Sequence, residues 1–401
     1  MAEQSNHAIV FGASGLLGWS VVNQLLSEYP HTGTFSKVTA VFNRPVPEKD
    51  LYWPKASSGR PELQIVSGVN LLEGTGEDLA SDLKGKMRDA VGITHAFYFV
   101  FTAINDDHIR ECRVNCGMME RVADALNIIT PNLKSLVYSG GIWHLQPRRH
   151  IHSPLEESMA DNLPEDYAKT VAYPWFRHIL NNASQNRGWT WTELCPDAVI
   201  GFSPNGSGFS LALHWAQYLS LYAYNHGIRA SASSPVGSPR ERIEVPFPGV
   251  DAAADSLSSP VSERTLGRAS IHAALHQDAC AGKVINIADS AQPTTLRELW
   301  SVAAHWFGLV GVGPSSDPGQ LKPSEYVDKY KYLFQRKGLT KALTCGVGAG
   351  GAQLDRVGWW LTFDRHLSLE RLRGTGFMDA RAPVAGWIDA FERFRAAGVI
   401  F

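Results

Sequence analysis

The chain has 401 residues, with 37 Lys and Arg against 39 Asp and Glu, a formal net charge of −2, and 44% hydrophobic residues. Its length exceeds one ordinary core, so a large domain with a dependent lobe is expected, and its near-neutral balance argues against nucleic acid or an anionic membrane surface as the main partner. The polar start Met1-Ala-Glu-Gln-Ser-Asn6 and the lack of a bilayer-long apolar run lead to the expectation of a cytoplasmic protein without a membrane span; the scattered Cys112, Cys116, Cys195, Cys280 and Cys345 read as reduced thiols, not disulfides or zinc ligands.

In chain order, Ala8-Ile-Val-Phe-Gly12-Ala-Ser14-Gly15-Leu16-Leu17-Gly18-Trp19 joins an apolar strand to a glycine-spaced turn and a helix running from Trp19 to Leu26. Gly12 suits the tight turn, Gly15 lets backbone N–H groups approach a pyrophosphate, and Gly18 lets the helix pack on the strand, while the helix dipole favours the phosphates. Val38 to Phe42 reads as the second strand, Gln64 to Ser67 as the third, His95 to Phe101 as the fourth and Ser135 to Tyr138 as the fifth. Asp106 to Leu126 has helical spacing, with Val114, Met118, Met119, Val122 and Leu126 on one face. Right-handed crossovers place these strands in one parallel sheet, an α/β Rossmann-type doubly wound architecture. Trp189 to Leu194 reads as a further strand and Leu211 to His226 as an aromatic-rich helix; the runs Ala230 to Arg242 and Thr344 to Gly351 read as surface insertions or lids. The expected division is a nucleotide-binding domain over residues 1–204 and a smaller, mostly helical substrate lobe over 205–401, with segments near 240–290 returning to the sheet. Trp300, Trp306, Trp359, Trp360 and Trp387 either fill the core or line an apolar cavity.

The end of the second strand meets the adenosine ribose in such folds, where an acid selects NAD and an Arg accepts the 2′-phosphate of NADP. Here the segment is Asn43-Arg44-Pro45, with no acid, which favours NADP(H) over NAD(H); the alternative is that Arg44 is a solvated loop charge. Asn70 and Leu71 follow the third strand, where Asn70 either bonds the adenine edge or forms a turn.

The sequence resembles the progesterone 5β-reductase and iridoid synthase-like (PRISE) branch of the extended short-chain dehydrogenases. The resemblance spans nearly the whole chain through Gly12-Ala-Ser-Gly15-Leu-Leu-Gly18, Asn43-Arg44-Pro45, Pro131-Asn-Leu-Lys-Ser135, Pro196-Asp-Ala-Val-Ile-Gly201-Phe-Ser-Pro204, Val245-Pro-Phe-Pro-Gly249, Asn286-Ile-Ala-Asp289 before Leu299-Trp300-Ser301, and Ala385-Gly-Trp387-Ile-Asp389. It implies NADPH-dependent hydride delivery to the β-carbon of an apolar enone or enal, in secondary metabolism; a homodimer is left open as the assembly.

The family's active-site loop, Thr-Gly-x-Lys-His-Tyr, matches Ser139-Gly140-Gly141-Ile142-Trp143-His144, so Ile142 stands at the lysine position and His144 at that of a tyrosine. The family's catalytic tyrosine matches Tyr173 in Thr170-Val-Ala-Tyr173-Pro-Trp-Phe-Arg177, where the usual acidic pair is absent, and Cys195 replaces an arginine. Arg177, four residues after Tyr173, shares its helix face and either reaches the nicotinamide ribose as a fixed charge or is a solvated helix residue. His144 either moves a proton near neutral pH or is structural. Ser139 either orients the substrate carbonyl or ends its strand, and Ile142, Trp143 and Phe202 are expected at the substrate pocket. Tyr173, His144, Arg177 and Ser139 are therefore the catalytic candidates. Three readings of function follow: an ene- or carbonyl reductase, a redox-neutral isomerase, lyase or cyclase, and a non-catalytic NADP-sensing regulator.

Overall fold

Apolar strand runs and amphipathic helices alternate along the first half of the chain, and each finds its partner in one sheet. The computed structural model describes residues 5–104, 107–142, 153–161, 163–228, 242–317, 319–345 and 351–401. The elements are β1 (Asn6–Phe11), α1 (Leu16–Leu26), β2 (Phe35–Val41), β3 (Glu62–Val66), α2 (Gly76–Lys86), β4 (His95–Tyr98), α3 (His108–Ile129), β5 (Ser135–Ser139), α4 (Glu165–Ala168), α5 (Ala172–Ser184) and β6 (Thr190–Pro196). Further on come β7 (Val199–Ile200), α6 (Leu211–Asn225), β8 (Glu244–Phe247), α7 (Asp251–Ala254), β9 (Leu257–Ser258), β10 (Val261–Ser262), α8 (Glu263–Leu275), α9 (Gln277–Cys280) and β11 (Lys283–Ile287).

Seven parallel strands form the sheet in the order β11-β6-β5-β4-β1-β2-β3. Ala8 of β1 pairs with Val38 on one side and His95 on the other, so the strand order reverses at β1 and opens a crevice beyond the strands' carboxyl ends. On one face the sheet buries α2, α3 and α5 through Ile9, Leu83, Met118, Val122, Leu126 and Phe176. The helical stripe read from the sequence is thus the buried one, with Val114 only partly covered. Each such core aliphatic is worth about 2–5 kcal/mol against truncation to Ala.

β4 stops at Tyr98, short of the expected Phe101. The reason lies in α3: the buried Asn115 accepts from the Thr102 N–H and donates to the Thr102 carbonyl, both at 2.9 Å, pulling the chain off the ladder.

The chain divides into two compact units. The first comprises residues 1–197, 264–288 and 367–379, and the second 198–263, 289–366 and 380–401. The change after Asp197, not at residue 204, follows from β7 pairing with β10 in a separate small sheet. Of the expected returning segment only 264–288 joins the first unit, as α8, α9 and β11, because β8 pairs instead with Val310–Pro314 in the second. The return of 367–379 was not foreseen: the Ser368 carbonyl accepts from Asn286, and Arg371 donates to the Val284 carbonyl at 2.8 Å.

In the second unit Trp215 stacks on Trp387 at 4.7 Å and meets Trp300 edge-on at 5.1 Å, so Trp300 and Trp387 are core, whereas Trp359 is 39% exposed. The cysteines are free thiols, and among the described residues no helix is long and apolar enough to cross a membrane.

Candidate functional site

At the carboxyl end of β1 the chain turns through Gly12, whose φ is +76°, and a Cβ there would stand 2.5 Å from the Phe99 carbonyl oxygen. A Cβ on Gly18 would collide with the Gly12 carbonyl, so both glycines are required by contact. Gly15 is the N-cap of α1, in extended conformation, and makes no side-chain cap bond; the first turn holds no acid. The leading N–H groups of α1 thus face a position suited to an anion. Leu16 is buried and Ser14 and Leu17 are partly covered, while the Trp19 indole fixes the helix by donating to the Leu51 carbonyl at 2.6 Å.

Beside this turn lies a shallow cleft lined among others by Gly12, Asn43, Val69, Leu71, Val100 and Thr102. Its floor is fixed by backbone bonds from Phe42 N–H to Val66 at 2.8 Å and from Val69 N–H to Phe42 at 3.0 Å. Asn43 and Arg44 are exposed at the end of β2. Leu71 forms part of the apolar wall, held by Arg121 donating to its carbonyl at 3.0 Å. Asn70, read either as an adenine contact or as a turn former, closes a turn: its carboxamide oxygen accepts from the Leu72 N–H at 2.9 Å. A cradle that admits no Cβ, a helix start without a side-chain cap and an apolar cleft next to the exposed Arg44 fit the pyrophosphate and adenosine of a dinucleotide.

Tyr173 is the second residue of α5, with its ring 6.3 Å from that of Phe101 and 6.2 Å from that of Phe176. A Cβ at Gly141 would lie 3.5 Å from its hydroxyl, so the loop after β5 packs on the phenol. Burial first, then the Cys195 thiol and the Glu193 carboxylate, push the phenol above its ordinary range. At neutral pH Tyr173 is thus a neutral hydrogen-bond donor. Ile142, at the position of the family lysine, is buried at 4% exposure. Trp143 and His144 lie outside the described residues.

Three expectations are corrected. Arg177 is neither a ribose contact nor solvated: it donates to Glu193 at 2.8 Å and to the Ala160 carbonyl at 3.3 Å, because a carboxylate buried in β6 demands a cation. The Ser139 hydroxyl, as the last residue of β5, donates to the carbonyls of Gly140 at 3.1 Å and Leu194 at 3.4 Å, which is the strand-ending reading. Phe202 is 1% exposed, its ring 5.4 Å from Phe394, so it is core of the second unit and not pocket wall. Cys195 is fully buried, and burial raises its thiol, leaving it unreactive.

Sequence reasoning missed Phe101, which stands 40% exposed beside Tyr173, and Glu193. The signal for Glu193 was present: the single charged residue within the strand-like run Trp189 to Cys195 calls for a buried partner.

Comparison with known proteins agrees with this geometry. The PRISE-like Rossmann-fold domain family model matches residues 8–401. A short chain dehydrogenase, sirQ, of Leptosphaeria maculans is 27% identical, covering 92% of this chain and 91% of its own. An (S)-8-oxocitronellyl enol synthase of Nepeta cataria is 24% identical over 90% of this chain and 82% of its own, and a 3-oxo-Δ(4,5)-steroid 5-β-reductase of Arabidopsis thaliana 22% over 97% and 92%. Among solved structures, the UDP-glucose 4-epimerase of Thermus thermophilus shares the fold with a TM-score of 0.57 at 15% identity, covering 98% of this chain and 99% of its own. The chain therefore belongs to the PRISE-like Rossmann-fold family and is an oxidoreductase-type enzyme of the short-chain dehydrogenase class.

Proposed function

We infer that the protein is an NADPH-dependent reductase of a small apolar enone, enal or related carbonyl compound. The observation that carries this reading is the pairing, in one unit, of a glycine cradle with a neutral Tyr173 donor beside the exposed ring of Phe101. Gly12, Gly15 and Gly18 with the start of α1 would hold the pyrophosphate, Leu71 and Val69 the adenine, and Arg44 the 2′-phosphate. The chemistry such a cofactor supplies is hydride, to the β-carbon of a conjugated carbonyl. Tyr173 donates its hydroxyl hydrogen bond to the carbonyl oxygen, where negative charge develops as the enolate forms. A conjugate acceptor spreads that charge, so one neutral donor serves without the lysine. Ile142 and Phe101 keep water from the reacting carbons and favour apolar substrates.

The test is NADPH consumption with a panel of apolar enones and enals, followed by product mass. Substrate-dependent loss of NADPH absorbance with a product two hydrogens heavier supports the reading. Product of unchanged mass formed without NADPH consumption supports a redox-neutral isomerase or cyclase, the second reading. That alternative is favoured by the apolar, buried Ile142 at the position of the family lysine and by Arg177 being paired with Glu193.

A further inference from the structure

α5 carries Tyr173 on its first turn and Arg177 on its second, and the guanidinium reaches Glu193 on β6 at 2.8 and 3.5 Å. The Glu193 side chain is 0% exposed and also accepts from the Tyr138 hydroxyl of β5 at 2.7 Å. Just after Tyr138 the loop runs through Gly140, where a Cβ would overlap the Glu193 carboxylate, and Gly141, which packs on the Tyr173 hydroxyl. One buried carboxylate thus touches three segments around Tyr173: its helix through Arg177, the preceding strand through Tyr138, and the facing loop at Gly140. Packing alone does not account for it, since apolar residues of the same volume commonly match or exceed a buried ion pair in stability.

Resting on the reading of Tyr173 as donor to the substrate carbonyl, we propose that Glu193 and Arg177 are positioning residues, whose ion pair, with the Tyr138 hydroxyl, fixes the Tyr173 hydroxyl against the backbone of Gly141. Glu193 also acts through space. Its negative charge adds to burial, the Cys195 thiol on the same strand, Glu111 of α3 and Tyr167 of α4 in keeping the phenol protonated, so loss of that charge alone lowers the pH at which Tyr173 ionises.

Glu193→Gln keeps the shape and removes the charge. The expected result is a kcat lowered about tenfold, with KM and the NADPH dissociation constant within about twofold, and an alkaline limb of the kcat profile moved to lower pH. Unchanged kcat with an unchanged alkaline limb overturns the proposal. Because a buried charge left alone can unfold a protein, the Arg177→Met/Glu193→Met double variant is measured beside it. It leaves no lone charge and should stay folded, with an unfolding temperature lowered only by the lost acceptor of the Tyr138 hydroxyl, yet keep the lowered kcat; a wild-type kcat in that variant makes the pair merely structural and also overturns the proposal. Should the wild type consume no NADPH with any enone, hydride transfer falls as a reading, and positioning is then judged from tyrosinate absorbance, with Tyr173→Phe as the blank. Ionisation of Tyr173 at lower pH in Glu193→Gln supports the proposal, and an unmoved ionisation sinks it.

Discussion

The two ends of the crevice in the first unit are built from different materials. Around Gly12 and Gly18 the site is backbone: a positive φ, two positions with no room for a Cβ, and N–H groups at a helix start. Around Tyr173 it is side chain, with a phenol, an aromatic ring and a buried carboxylate whose hydrogen-bond partners come from a helix and a strand. A backbone site depends on a few residue types at fixed spacing, and fails through loss of binding or fold. A side-chain site tolerates replacement of single members and fails through loss of rate.

That contrast is open to direct attack. The largest effect is expected from Gly12→Val, which combines a disfavoured φ with a collision at Phe99 and should destabilise the fold by about 3–5 kcal/mol as well as abolish cofactor binding; thermal unfolding and NADPH fluorescence read both. Tyr173→Phe should lower kcat about 100-fold with an unchanged melting temperature and NADPH affinity. Wild-type turnover in that variant removes Tyr173 from the mechanism. Arg44→Glu should raise the NADPH dissociation constant about tenfold while leaving that for NADH within about twofold, because only the 2′-phosphate meets the charge. An equal effect on both nucleotides would return Arg44 to an ordinary surface residue.

The smallest effect separates stability from rate through pH. Burial, the leading cause for both, holds His7 at about 4 and His95 at about 3 against an ordinary 6.5. Each is neutral in the fold and charges more readily when unfolded, so their contribution is intact above pH 6.5 and is lost as pH falls through 6.5 towards 4 and 3. In the second unit Glu263 is pushed up to about 7 by burial, against the opposing pull of Arg393 and the Phe202 N–H, and so loses stability as pH rises from 4.5 towards 7. His95→Gln should flatten the acid side of the melting-temperature profile and leave the alkaline limb of kcat alone; movement of that limb would tie the strand's buried end to Tyr173.

Legibility in the sequence followed the same contrast. The glycine turn, the strands and the buried face of α3 were readable because contact and periodicity act between residues close in the chain. β4 was read three residues too long because its end is set by Asn115, on a helix whose partner residue, Thr102, is fixed only in three dimensions. Neither sequence reading of Arg177, ribose contact or solvated helix charge, holds, because both rest on its local spacing from Tyr173, while the carboxylate that captures it is 16 residues away on another element. Asn70 and Ser139 each admit two roles from sequence alone, and in each the nearby backbone supplies a short-range partner.

The interleaving of the two units also has a consequence for synthesis. β6 ends at Pro196, but the strand that covers its outer edge, β11, begins only at Lys283, and the segment bracing β11 follows at 367–379. A chain emerging from the ribosome therefore carries a six-stranded sheet with a bare edge until much of the second unit has been made. The nascent protein is most exposed to edge-to-edge association in that interval, and stop codons between β6 and β11 should yield products that chaperones hold rather than shorter folded enzymes.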